Sequence, residues 1–220
     1  MRIKLFSQFL GACFFASITL AACQSDAPEN QTLAASAGNG KIVAFVTQTE
    51  VVFTDSTTRA FPKTQVEDSV TTFFLVRHAE KDTGDNPRLH PLGEKRAKQL
   101  VKIFENAGIT NAFTSPYRRT LFTAKPLVTA LDLDMNSFDP RTPEEGATFY
   151  LKQARGGRIF IAGHSNTNPQ LVNYFIGKEV LPQIPEEQYD DIYVVFVPKN
   201  GQAEYWTLKY EVEKGYSVEK

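Results

Sequence analysis

From Ser69 to Tyr210, short β-branched and aromatic runs alternate with longer stretches whose apolar residues recur at helical spacing. A chain patterned this way has few solutions, because each strand and each helix must bury its apolar side against the other kind of element. The expected fold class is α/β, with a mostly parallel sheet and helices on both faces. Thr72 to Val76 is an uninterrupted strand. A helix comes next, with Pro91 at a plausible first position, Leu92, Ala97, Leu100, Val101, Phe104 and Ala107 in helical register, and Gly108 as its terminator. Ala112 to Thr114 reads as a second strand, followed by a helix with Leu121, Ala124, Leu127, Val128 and Leu131 on one side and a kink expected at Pro126. A strand at Met135 to Phe138, a helix from Glu144 to Ala154, a strand at Arg158 to Ala162 and a helix from Pro169 to Ile176 continue the pattern. Ile192 to Val197 and Ala203 to Tyr210, joined through Lys199-Asn200-Gly201, read as a C-terminal β-hairpin.

The rest of the chain divides into three segments. Arg2 and Lys4 precede an uncharged, largely apolar run from Leu5 to Ala22, the charged-then-apolar order of an export signal. That run ends in Leu20-Ala21-Ala22-Cys23, which resembles the lipobox of bacterial lipoproteins; the resemblance implies a signal peptide over 1–22 and acylation of Cys23 as the first mature residue. An uncleaved membrane helix and a soluble export signal are the competing readings, since about 18 apolar residues just reach spanning length. By the convention of enteric-type bacteria, Gln24 after Cys23 points to the outer membrane, so the expected location is the bacterial cell envelope, lipid-anchored and facing the periplasm. Residues 23–40, rich in Ala, Ser, Asn, Gln and Gly, read as a lipidated flexible tether with a span of roughly 20 to 25 Å. Residues 41–68 read as an N-terminal β extension, and residues 69–220 as the main domain.

Composition excludes several function classes. Lys plus Arg number 24 against 25 for Asp plus Glu, so no broad basic face for nucleic acid is expected. Anion binding must then be local. Cys13 and Cys23 are the only cysteines, so the domain has neither a disulfide framework nor a thiolate metal site.

In open α/β sheets, ligands bind beyond the carboxyl ends of the strands, and three strand ends here carry reactive side chains. One delivers Arg77-His78-Ala79-Glu80, another Ser115-Pro116-Tyr117-Arg118-Arg119, and the third Gly163-His164-Ser165-Asn166. Guanidinium forks match phosphate oxygens and stay charged at any working pH. A neutral imidazole can attack phosphorus in line, and neighbouring arginines keep it unprotonated by like-charge repulsion. A second imidazole can bond the equatorial oxygens as charge shifts. No metal or other cofactor is called for.

These residues stand in a familiar order. Leu75-Val76-Arg77-His78-Ala79-Glu80 is similar to the R-H-G motif of the histidine phosphatase (phosphoglycerate-mutase-like) superfamily, with Ala79 for glycine. Leu89-His90-Pro91-Leu92-Gly93 looks like that family's L-T-x-x-G segment, with His90 for Thr or Ser. Ser115 to Ala124 matches S-x-x-x-R-x-x-x-T-A, with Arg119 at the arginine position, and Gly163-His164-Ser165 matches the second histidine. The resemblance spans about Thr71 to Lys209 and lies closest to the short phosphohistidine-phosphatase-like branch. It implies a metal-independent phosphatase with catalytic residues His78, Arg77, Arg119 and His164, a phosphohistidine intermediate, and a small phosphorylated substrate, a monoester or phosphoramidate. A phosphate-ester binding lipoprotein with weak turnover is the alternative. Oligomeric state is not legible.

Other residues receive blander expectations. His90 is expected to start a helix, Glu80 and Lys81 to border the pocket, Arg118 to face solvent or an ion pair, and Asp190 and Asp191 to be turn acids. Gly163-His164-Ser165-Asn166-Thr167 partly resembles the G-x-S-x-G elbow of serine hydrolases, but it ends in Thr167 and no histidine follows Ser165. His78, Glu80 and Asp82 are a poor metal ligand set. The proton donor is the unplaced part: Ser165 cannot serve, and Glu144 and Glu145 are equally well read as first-turn helix acids. Leaving groups that depart easily, such as aryl phosphates or phosphoramidates, are therefore expected to be favoured.

Overall fold

The computed structural model of the protein describes residues 36–62 and 70–212. Three strands, β1 (Ser36–Val46), β2 (Glu50–Phe53) and β3 (Thr58–Ala60), precede the alternating region. That region runs β4 (Thr71–Arg77), α1 (Pro91–Phe104), β5 (Asn111–Thr114), α2 (Arg118–Ala130), β6 (Met135–Ser137), α3 (Pro143–Gln153), β7 (Arg158–Gly163) and α4 (Thr167–Ile176). It closes with the hairpin strands β8 (Asp191–Val197) and β9 (Glu204–Lys209). The described strands form one nine-stranded sheet in the order β3-β2-β1-β9-β8-β4-β7-β5-β6. Its parallel part, β4-β7-β5-β6, is what strand-helix alternation builds, while β8 and β9 add antiparallel pairs. The fold is thus the expected α/β class with a mixed sheet.

Strand periodicity sorts the core into two layers. Phe74 and Val76 of β4 pack with Leu100, Phe104, Ala124 and Leu127 of α1 and α2. Phe73 and Leu75 of the same strand pack with Ala147, Tyr150, Leu171 and Val172 of α3 and α4. Every residue of β4 is buried, as a strand covered on both faces requires.

Local chemistry sets the helix starts. His90 caps α1 by accepting the Leu92 N–H at Nδ1 (3.2 Å), and Pro91 opens the helix, which settles His90 as a helix-start residue. Gly93 is needed because a Cβ there would lie 2.1 Å from the Glu80 carbonyl oxygen. α2 contains Pro126 and continues through it, with Leu127 and Val128 of the following turn buried.

The extension departs from expectation. Composition predicts a tether up to Gly40, but β1 begins at Ser36, with Ser36 opposite Trp206 and Ala37 opposite Thr207 in parallel pairing. The outer edge of β9 presents unpaired backbone groups that recruit a strand, and composition gives no sign of such a partner. β1 to β3 therefore continue the domain's own sheet. Arg158 fastens them, donating to the carbonyls of Gln48 (3.2 Å) and Thr47 (3.1 Å). The expected signal, Cys23 and the tether before residue 36 lie outside the described residues. Among the described residues no helix is long and apolar enough to cross a membrane.

Candidate active site

β4 and β7 lie parallel with Arg77 opposite Gly163, and the His78 N–H donates to the Gly163 carbonyl (2.9 Å). This register releases the next side chains together, so the rings of His78 and His164 have centroids 5.6 Å apart at 66°. β5 pairs with β7 through Thr114 and Ala162, and the first turn of α2 swings Tyr117 and Arg119 over the same edge. Arg77, His78, Arg119 and His164 line a single cleft of about 390 Å³, with Lys81, Tyr117, Arg141 and Glu186 on its walls. All four expected catalytic residues converge.

The loop carrying His78 is pinned from α2. The Thr123 hydroxyl accepts the Ala79 N–H (2.8 Å) and donates to the Arg119 carbonyl (2.7 Å), so the threonine of the motif couples the His78 loop to the helix that carries Arg119. Ala79 is fully buried.

The imidazoles have assignable tautomers. His78 Nδ1 lies 2.8 Å from the Ala79 carbonyl, which can only accept, so Nδ1 carries the proton and Nε2 keeps its lone pair. Burial is the main cause that pushes His78 down to about 3, with Arg77, His164 and Arg119 adding to it against the opposing bond to Ala79. His164 is pushed down to about 4, by burial first and then by Arg119 and Arg77. Both rings are neutral at pH 7. Arg119 Nη2 lies 3.4 Å from His164 Nδ1 and can only donate, which places the His164 proton on Nε2. From there a directed chain runs to Ser115 Oγ (2.7 Å), on to Thr120 Oγ1 (2.8 Å), and ends at the carbonyls of Ser115 (2.9 Å) and Tyr117 (2.8 Å). Ser115 and Thr120 thereby orient the second histidine.

The arginines are held from behind. Arg77 Nη1 donates to the carbonyls of Pro185 (2.7 Å), Glu186 (2.9 Å) and Gln188 (3.2 Å), its Nη2 meets Glu186 Oε2 (2.8 Å), and its guanidinium lies over the Tyr189 ring at 4.5 Å. Arg119 lies over the Tyr117 ring at 4.4 Å. The Nε–H groups of Arg77 and Arg119 are buried with no acceptor among the described residues, a costly condition that a bound oxyanion would relieve.

The secondary expectations divide. Lys81 borders the cleft, but Glu80 turns away to Arg96, which grips it through Nε (3.0 and 2.9 Å) and Nη2 (2.7 Å). Arg118 lies over Phe122 (6.0 Å). Asp190 and Asp191 both pair with Lys209, at 3.0 and 2.6 Å, and neither lines the cleft. Glu144 and Glu145 occupy the first turn of α3 and also stay off its walls. Among the described residues no three His, Cys, Asp or Glu side chains form a metal-binding group. Sequence reasoning misses Tyr117, Arg141, Tyr189 and Glu186 as site residues. A usable sign exists for Glu186: β8 runs antiparallel to β4, so the loop before β8 must return to the edge where β4 ends.

Residues 73–141 match the profile of the histidine phosphatase superfamily (branch 1). Among curated proteins none matches the sequence significantly. Solved structures share the fold. The protein histidine phosphatase SixA, complexed with tungstate, is similar at 15% identity and TM-score 0.53, covering 63% of this chain and 96% of its own. A functionally characterised open reading frame of Mycobacterium tuberculosis gives 12%, 0.51, 65% and 99%. A mycobacterial glucosyl-3-phosphoglycerate phosphatase gives 11%, 0.50, 66% and 100%. The matched stretch contains Arg77, His78 and Arg119, so over residues 73–141 this chain is similar to the histidine phosphatase superfamily.

Proposed function

We propose that the domain is a metal-independent phosphatase that hydrolyses phosphate monoesters or phosphoramidates through a phosphohistidine on His78. One observation carries this reading: the Nδ1–H of His78 is held by the Ala79 carbonyl, which leaves an unprotonated Nε2 in a cleft walled by Arg77, Arg119 and His164. In the first step Nε2 bonds to phosphorus and the leaving group departs; in the second, water displaces the imidazole and inorganic phosphate is released. The arginines hold the phosphoryl oxygens, and His164, fixed by Ser115, accepts from Arg119 at Nδ1 and so orients that guanidinium toward them. A solved relative in fold that binds tungstate, a tetrahedral oxyanion, accords with this pocket.

The test is hydrolysis of p-nitrophenyl phosphate by the purified protein with and without a chelator, with phosphate labelling of His78 read by mass spectrometry. Turnover unaffected by chelator, with label on His78, is the expected result. Inorganic phosphate binding without any turnover would favour a phosphate-ester binding protein instead.

We also propose export and lipid anchoring through Cys23, which would place the site outside the cytoplasm and leave small phosphorylated compounds there as its substrates. Cys23→Ser is expected to move the protein from the membrane to the soluble fraction or to leave the precursor unprocessed. Unchanged membrane association, with no acyl label on the wild type, would refute the anchor.

A further inference from the structure

An alkyl phosphate leaves as an alkoxide, which needs a proton as its bond to phosphorus breaks. Among the acids near the cleft, Glu80 is taken by Arg96 and Asp139 by Arg141, while Glu144 and Glu145 do not line it. Glu186 differs from all of these. It lines the cleft, its side chain is 67% exposed, its Oε2 lies 2.8 Å from Arg77 Nη2 and its Oε1 lies 3.5 Å from Ser165 Oγ. The three carbonyls on Arg77 Nη1 hold the guanidinium in place whether or not Glu186 stays with it. A phosphoryl oxygen that arrives at Nη2 therefore displaces the carboxylate without moving the arginine. Its exposure leaves the Glu186 side chain room to move within the same cleft. Besides Arg77, the other charged or titratable groups on the cleft wall are Lys81, Tyr117, Arg119, Arg141, His78 and His164.

We infer that Glu186 is the general acid of this site, which extends its substrates to phosphate monoesters of ordinary alcohols; the inference rests on the phosphatase reading above. In the first step the Nε2–P bond forms, the ester P–O bond breaks, and the Glu186 proton passes to the departing oxygen to give the free alcohol. In the second, water attacks phosphorus, the N–P electron pair returns to His78 Nε2, and the water's proton restores Glu186. The acid comes from the loop before β8, a place that none of the sequence motifs marks.

The experiment compares kcat/KM for glycerol phosphate and p-nitrophenyl phosphate in the full chain, as wild type, Glu186→Gln and Glu186→Asp. Because kcat/KM reports events only through loss of the leaving group, it isolates the acid's step. Glu186→Gln is expected to lose about 10²- to 10³-fold with glycerol phosphate. The loss should be at least about tenfold smaller with p-nitrophenyl phosphate, whose leaving group needs no proton. Glu186→Asp should recover part of the glycerol phosphate activity, and circular dichroism confirms that each variant is folded. Equal losses on both esters, a uniform gain from freeing Arg77, or a wild type that turns over only the aryl ester would each overturn Glu186 as the acid while leaving the phosphatase intact. A wild type that hydrolyses neither ester and takes no label on His78 would overturn both.

Discussion

His78→Ala is expected to abolish hydrolysis of p-nitrophenyl phosphate, with kcat down by at least about 10⁴-fold, the scale seen when a nucleophile is removed from a preorganised site. The argument is geometric. His78 is 3% exposed, its ring is oriented by the Ala79 carbonyl, and the other imidazole lining the cleft, His164, is tied to Ser115. Removing the ring also leaves the Ala79 carbonyl without that partner, a loss of about 1 to 3 kcal/mol in stability if the carbonyl stays dry. Activity must therefore be read with a melting curve. A variant that is folded at the assay temperature and inactive supports the nucleophile, whereas a folded variant that keeps its turnover ends the phosphohistidine mechanism.

The second large effect is expected from Arg119→Ala, which should lower kcat/KM by roughly 30- to 1000-fold, or about 2 to 4 kcal/mol of transition-state stabilisation. Arg119 is a cleaner probe than Arg77, whose loss would also free the carbonyls of Pro185, Glu186 and Gln188 and loosen their loop. Arg119 contacts the Tyr117 ring and His164 Nδ1, so its removal takes away chiefly a phosphate donor. Arg119→Lys should recover little, because a point charge does not replace a planar fork. The pH profile carries a second sign. Burial is the first cause holding both imidazoles below their ordinary range, and Arg119 adds to it, so without Arg119 both pKa values rise. The nucleophile must be neutral to attack, so the acid limb of kcat/KM should move to higher pH. An unchanged kcat/KM in Arg119→Ala would remove Arg119 from the phosphate site.

Much of the site is legible in the sequence because its parts are short and local. Arg77 and His78 end a strand, Arg119 stands in the first turn of a helix, and His164 ends another strand, so the rule that strand ends bear ligands collects them without coordinates. The same rule looks only at residues just after a strand. It passes over Glu186 and Tyr189, which precede one, and these come to the site because β8 runs the other way. Glu80 shows the opposite failure: close to His78 in sequence, it is drawn off by Arg96 from α1, a partner sixteen positions away that no local pattern names.

By itself the sequence determined the α/β class, the strand and helix alternation, the cap at His90 and the four residues that meet in the candidate cleft, because side-chain periodicity, capping and motif spacing act over a few neighbouring residues. Only the tertiary structure decided that β1 to β3 extend the sheet past β9, that Ser115 and Thr120 set the orientation of His164, and that Glu186 meets Arg77. Each of these depends on a partner far along the chain, from 49 positions between Ser115 and His164 and 109 between Arg77 and Glu186 to 170 between Ser36 and Trp206. Pairing of that kind is decided by free sheet edges and by the packing of both sheet faces, which exist only once the whole chain has folded.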